Sequence, residues 1–325
     1  MVSPFNEQEI LPDLAHGTLR IPRRPAVESP RALAVTLLAD YTLRHRAWLP
    51  SAAIVALLVE SGLTAASART AISRLARRGV LERTRRGRQS FYRLTTPAAA
   101  TLAAGGRSVV AFPVEAEAWD GQWTLIAFSV PQERESARRA LRSRLRWMGF
   151  MPLYDGLWVS PSPPPAEITA RGDDGFGAVT VFRARRVDVA GCAPRDPRDA
   201  WDMAAIDAHY ADFIERWRPL LPRIAAGEIR GAEALRARTE VMEIYRRFKL
   251  LDPPLPMRLM PPGWLRQQAR EMFAAVYDGL AEPAVRHVRR TVARIVDSPT
   301  SGICAHTVAE MLEGVVPGEG EAPGG

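Results

Sequence analysis

Nine arginines crowd the stretch from Thr64 to Arg93: Arg69, Arg74, Arg77, Arg78, Arg83, Arg85, Arg86, Arg88 and Arg93, with Glu82 the one acid among them. That surplus of +8 equals the formal net charge of the whole 325-residue chain, so the remainder is balanced. A block of positive charge this local is the electrostatic footprint of a polyanion site. The general preference for arginine carries less information. Of 44 basic residues only Lys249 is a lysine, a bias that points to a GC-rich genome more than to function.

Position decides what those charges can do. Leu33, Leu37, Leu38 and Tyr41 share one face of a helix that begins near Pro30. Pro50 and Ser51 open a second helix, with Ser51 as its cap and Gly62 as its stop. A third helix runs from Thr64 to Arg78 and ends at Gly79. With Ile72 at the centre of its buried face, Ala68 and Leu75 fall beside it, while Ser67, Thr70, Arg74 and Arg77 fall opposite. Val80–Thr84 and Ser90–Leu94 alternate as strands around an Arg85-Arg86-Gly87-Arg88 turn. This order is that of a winged helix-turn-helix. Short polar side chains mixed with arginine suit a helix in the major groove, since arginine pairs bidentately with guanine. A basic hairpin tip suits phosphates. The expected DNA contacts are Ser67, Arg69, Thr70, Ser73, Arg74, Arg77 and Arg78 on the helix and Arg85, Arg86 and Arg88 on the wing. A merely solvated helix face is the competing reading, and the basic hairpin tip weighs against it.

The predicted fold class is α+β in several domains. Residues 1–29 read as a flexible arm carrying Arg20, Arg23 and Arg24, and 30–97 as the winged unit. Thr96 followed by Pro97 signals the start of a short linking helix, and residues 98–118 read as a linker. In 119–192, a strand from Gln122, a helix over Gln132–Met148, a hairpin at Asp155-Gly156, a short helix at Pro165–Arg171 and a last strand from Ala178 suggest a ferredoxin-like sandwich. Arg134, Arg138, Arg139, Arg142, Arg144 and Arg146 decorate its long helix and read as a solvated face. Residues 193–312 are helical, with aromatic stripes such as Tyr210, Phe213 and Trp217 read as core, and 313–325 read as a disordered tail. Two cysteines, Cys192 and Cys304, make no disulfide framework and fit a reducing compartment. The N-terminus lacks the apolar core of a secretory signal, and the longest apolar run, Ala52–Val59, is too short to span a bilayer, so a cytoplasmic protein without membrane association is expected.

Enzymatic motifs do not appear: no GxxxxGK[ST], strand-bound GxGxxG, HExxH, GxSxG or paired CxxC, and the five histidines lack metal-ligand spacing. No enzyme activity, metal or prosthetic cofactor is expected.

At this point the chain resembles the PaaX family of bacterial transcriptional repressors of phenylacetic acid catabolism, over about residues 30–296. The resemblance rests on Ser67-Ala68-Arg69-Thr70-Ala71-Ile72-Ser73-Arg74-Leu75, the wing ending Ser90-Phe91-Tyr92-Arg93-Leu94-Thr95, Trp119-Asp120-Gly121-Gln122-Trp123-Thr124-Leu125, and Phe248-Lys249-Leu250-Leu251-Asp252-Pro253-Pro254-Leu255-Pro256. It implies a dimeric repressor of double-stranded operator DNA, a central domain like the CRISPR-associated Cas2 fold, and release by an aryl-CoA thioester, typically phenylacetyl-CoA. An acyl-CoA needs cations beside aromatics. The candidate ligand contacts are therefore Trp119, Trp123, His209, Tyr210, Trp217, Arg218, Arg258 and Trp264, placed between the central and C-terminal units. The alternative is a metal-dependent nuclease built on the central fold. Against it, Thr124–Val130, the first central strand, holds no Asp or Glu. A third reading is a helical interaction protein whose winged helix binds a protein partner.

Overall fold

The computed structural model describes residues 29–129, 135–164, 178–187, 191, 195–296, 300 and 302–318. The N-terminal arm, Arg134, Cys192 and the Pro165–Arg171 helix expected from sequence lie outside those residues, apart from Ser29 at the end of the arm.

The chain opens with α1 (Pro30–Thr42), capped by the Ser29 hydroxyl accepting from the Ala32 N–H at 3.3 Å. A two-residue strand, β1 (Leu49–Pro50), leads into α2 (Ser51–Glu60) and α3 (Ala65–Arg77). The cap of α2 is Pro50, not Ser51, which occupies the first helical position. Strands β2 (Leu81–Arg86) and β3 (Gln89–Leu94) form an antiparallel hairpin, and β1 adds to β3 through Leu49 opposite Tyr92. Sequence alternation did not reveal β1, because two residues carry no period.

The stretch expected to be a linker is mostly a helix, α4 (Thr96–Glu115). The short linking helix expected from Thr96 and Pro97 is there but runs much further, its length disguised by Gly105 and Gly106 in the middle and Pro113 near the end. The Thr95 hydroxyl caps it by accepting from the Ala98 N–H.

The central unit contains β4 (Trp123–Ser129), α5 (Glu135–Trp147), β5 (Met151–Tyr154), β6 (Leu157–Ser160) and β7 (Ala178–Ala184). The four strands are antiparallel in the order β5-β6-β4-β7. At Gly156, φ is +78° and an added Cβ would sit 3.1 Å from the Phe128 carbonyl, so this turn demands glycine. Ile126, Phe150 and Trp158 bury one sheet face with Leu141 and Leu145 of α5.

Seven helices follow among the described residues: α6 (Met203–Trp217), α7 (Leu220–Ala225), α8 (Gly231–Tyr245), α9 (Phe248–Leu251), α10 (Arg266–Gly279), α11 (Ala281–Ala293) and α12 (Val308–Glu313). Helix α8 packs on α10 and α11 and also on α1, while α2 packs on α11 and α4 on α12. One hydrophobic core therefore runs without a break from Leu37 and Tyr41 of α1 to Phe273 and Tyr277 of α10. The tail expected to be disordered from residue 313 is in place through 318. Val315 is buried, and the Gly318 N–H bonds the Arg44 carbonyl at 2.6 Å. Arg44 also pairs with Glu310.

Candidate nucleic-acid interface

Helix α3 owes its position to its two ends. Thr64 caps it, accepting from the Ser67 N–H at 3.1 Å. At the other end Gly79 takes φ +73°, so the Val80 N–H returns to the Leu75 carbonyl at 3.0 Å. Ala68, Ala71, Ile72 and Leu75 are buried. Arg69, Thr70, Ser73, Arg74, Arg77 and Arg78 are exposed, and Ser67 is half-buried at the start of the same face. Arg85 and Arg88 are exposed at the hairpin tip. Arg86 is less open, with its guanidinium 5.8 Å from the centre of the Phe91 ring.

Glu82, the acid inside the basic stretch, does not neutralise this surface. It takes the Arg46 guanidinium at 2.6 Å and Arg93 Nε at 2.7 Å. Arg93 also lies 4.5 Å from the Trp48 ring centre. Arg83 bonds the Ser90 hydroxyl at 2.8 Å across the hairpin. Among the described residues Arg69, Arg74, Arg77, Arg85 and Arg88 have no acidic partner. The nine arginines thus separate into structural ones and ones presented to solvent.

The residues singled out as ligand contacts do not converge. Tyr210, Trp217 and Trp264 are buried in the helical core. Tyr210 stacks on Phe248 at 4.0 Å, and its hydroxyl donates to Asp252 at 2.6 Å. Arg218 is on the surface paired with Glu215, Arg258 is exposed, and His209 is half-buried on α6. Trp123 is buried against Trp119 and Trp201. Of the eight, Trp119 alone lines an open cleft of about 830 Å³ between α1, α4, the central sheet, α9 and the C-terminal residues His306, Met311 and Val315. Sequence reading missed the cleft because α4, which forms its wall, had been read as only a short linking helix followed by a linker.

Two buried arginines organise the same neighbourhood. Arg266 of α10 holds Asp252 through Nε at 2.6 Å and Nη2 at 2.8 Å, and also bonds the Leu255 and Pro253 carbonyls. Arg238 of α8 lies 3.7 Å above the Tyr277 ring and bonds the Tyr277 and His306 carbonyls. The Tyr277 hydroxyl donates to Asp40 of α1 at 2.6 Å and lies 3.1 Å from His306 Nε2. Burial pushes the Asp40 carboxyl up, while burial and the Arg238 charge drive the His306 imidazole down to about 3.

Comparison with known proteins places these parts in order. The family model described as PaaX-like protein matches residues 29–98, the PaaX protein central Cas2-like domain matches 116–193, and the PaaX-like protein C-terminal domain matches 201–290. The transcriptional repressor PaaX of Escherichia coli (strain K12) is 30% identical over 256 residues, covering 76% of this chain and 79% of that protein. The fold is also similar to that of uncharacterized protein Rv0674 from Mycobacterium tuberculosis. There the TM-score is 0.50 and the identity 24%, over 81% of this chain and 98% of the other. Among the described residues no helix is long and apolar enough to cross a membrane. The nuclease alternative is not favoured, because the matched relative is a repressor. With three family domains in the family's order and that identity to a curated member, the chain belongs to the PaaX family of transcriptional regulators, and is not an enzyme.

Proposed function

We propose that this chain is a ligand-responsive repressor that binds operator DNA through a winged helix-turn-helix spanning residues 30–97. The observation that carries the reading is the set of exposed arginines without acidic partners on α3 and the hairpin tip. In this reading Ser67, Arg69, Thr70, Ser73, Arg74, Arg77 and Arg78 face the major groove. Arg85, Arg86 and Arg88 contact phosphates. The central sheet, whose fourth, first, third and second strands lie side by side, supports a ferredoxin-like, Cas2-like unit. A homodimer in the cytoplasm binds two half-sites, since two-fold pairing doubles the DNA surface held.

As the family resemblance implies, the regulated genes belong to aromatic-acid catabolism or a related pathway, and an aryl-CoA such as phenylacetyl-CoA releases the protein. No prosthetic cofactor takes part. A gel-shift titration on the chain's own upstream region, with and without Mg²⁺ and candidate acyl-CoAs, tests this. Retardation that one acyl compound reverses is expected. Mg²⁺-dependent cleavage, or no sequence-selective shift, would refute it.

A further inference from the structure

Helix α11 of the helical unit ends against the winged unit. Partway along it, His287 Nε2 lies 2.6 Å from a carboxylate oxygen of Glu60, the last residue of α2. Arg236 of α8, which packs on α11, donates to the Glu60 carbonyl at 3.3 Å. Just past the end of α11, the Ile295 carbonyl lies 3.5 Å from Gln89 Nε2. Gln89 opens β3 and faces Arg86 across the hairpin. The end of α11 therefore stands beside the wing tip, held by one contact on α2 and another on the wing.

The side chains at that end are basic. Val285, Val288 and Val292 bury the inner face of α11. Arg290 and Arg294 fall on the opposite face, and both are exposed. At 3.6 residues per turn, Arg294 stands only about 20° around the helix from His287, the side that meets the winged unit. Arg286 pairs with Glu282 at 2.8 Å, and Arg289 bonds the Ile303 carbonyl. Arg290 and Arg294 have no acidic partner among the described residues; Asp297, the next acid along the chain, lies outside them. A cation near a helix C-terminus is stabilised by the helix dipole, which explains either arginine taken alone. It does not explain their place beside Arg85, Arg86 and Arg88, where like charges repel. Arginines gathered around one hairpin tip raise the energy of the free protein, and a polyanion relieves them.

We infer that Arg290 and Arg294 form a second phosphate-binding element, through which the helical unit grips the backbone of duplex DNA next to the stretch held by the wing. The inference rests on the operator-binding reading above and extends the DNA surface beyond the winged unit. The contact is made to phosphates and carries no sequence code of its own. Because α11 is fixed to α2 and to the wing, its two guanidinium groups keep their place relative to α3. They add affinity and register to whatever sequence α3 reads.

Salt titrations of DNA binding by the full chain test this, on the upstream region that it retards and on an unrelated duplex. Replacing both residues, Arg290→Gln with Arg294→Gln, should lower the slope of log affinity against log salt by about 0.9 for each lost contact, on both duplexes alike. Between about 50 and 200 mM salt the wild type should then lose about tenfold more affinity than the variant. The pair Arg290→Lys with Arg294→Lys should keep the slope, since lysine still binds phosphate as a point charge. Arg258→Gln, exposed elsewhere in the helical unit, should bind as the wild type does. Circular dichroism confirms that each variant is folded, and thermal melting reads any effect on the helix end. A wild-type slope in the glutamine pair, whether or not its melting temperature falls, overturns the inference, because the arginines then serve α11 alone. A slope lost equally in the lysine pair also overturns it. Failure of the wild type to bind either duplex strikes the repressor reading, whereas wild-type binding with an unaltered slope in the glutamine pair strikes only α11.

Discussion

On the outer face of α3 and the hairpin tip, Arg69, Arg74, Arg77, Arg85 and Arg88 project into solvent without acidic partners among the described residues. In the helical unit Arg266 and Arg238 are almost wholly enclosed, each bonded to carbonyls and facing an aspartate. The residue type is the same and the role is opposite. Exposed guanidinium groups retain their full charge and hydrogen-bonding capacity for a polyanion. Buried ones have exchanged water for a fixed set of acceptors, and their value is that they order the chain around them. Sequence position alone does not separate these uses; the partners do.

The comparison can be broken most decisively at Arg266. Alanine there leaves Asp252 buried with only Tyr210 and Trp264 as side-chain donors, and a broken buried pair costs about 3–5 kcal/mol of stability. Urea denaturation should register that loss, with unchanged DNA affinity in the fraction that remains folded. A loss under about 1 kcal/mol would place Arg266 with the surface arginines.

The buried side also has a pH signature that the surface side lacks. His306 is neutral when folded because its pKa is driven down to about 3 from 6.5, so as pH falls the unfolded chain takes up the proton first. Its contribution is present above about pH 6.5 and drains away toward about pH 3, by up to about 1.4 kcal/mol per pH unit. Asp40, raised by burial, has the opposite slope, so the informative quantity is the difference between wild type and His306→Gln. Between about pH 6 and pH 4 the wild type should lose about 2–3 kcal/mol more than the variant. Parallel curves would show that the imidazole does not stay neutral in the fold.

On the exposed side, Arg74→Ala should cost about 1–3 kcal/mol on specific DNA. Its stability should stay within about 0.5 kcal/mol of wild type. Unchanged operator affinity would remove Arg74 from the groove. The smallest effect belongs to the wing. Neutralising Arg85 and Arg88 should lower the slope of log affinity against log salt by about 0.9 for each lost contact. A loss confined to one operator base pair, with the slope intact, would make the wing a reader of sequence.

Periodicity exposed the parts that bury one face and wet the other. Ile72 with Leu75 in α3 was readable for that reason, whereas the central hairpin was readable from its Asp155-Gly156 turn. What escaped was structure specified by distant partners. The acid that meets Arg238 is Asp40, far upstream in another unit, and no local pattern announces it. The start of helix α4 was legible at Thr96 and Pro97, but its length was not, because its glycines and later proline imitate a linker. The aromatic residues chosen as ligand contacts fell mostly into the core, since a stripe at helical spacing is first of all a packing face.

The unbroken core beneath α1 has a consequence for how the protein comes apart. Family boundaries cut the chain into three, but heat should cut it into two. The winged unit and the helical unit share buried side chains, so neither can melt without stripping the other, and calorimetry should record them as one cooperative transition. The layer of α5 on the outer face of its sheet, centred on Phe150 and Trp158, has a separate interior and can soften on its own, while Trp123, Leu153 and Val159 on the sheet's other face stay with the shared core. A fragment cut at Arg93 would therefore not be a small DNA-binding domain set free. It would be half of a folding unit, with the inner face of α1 bared to water.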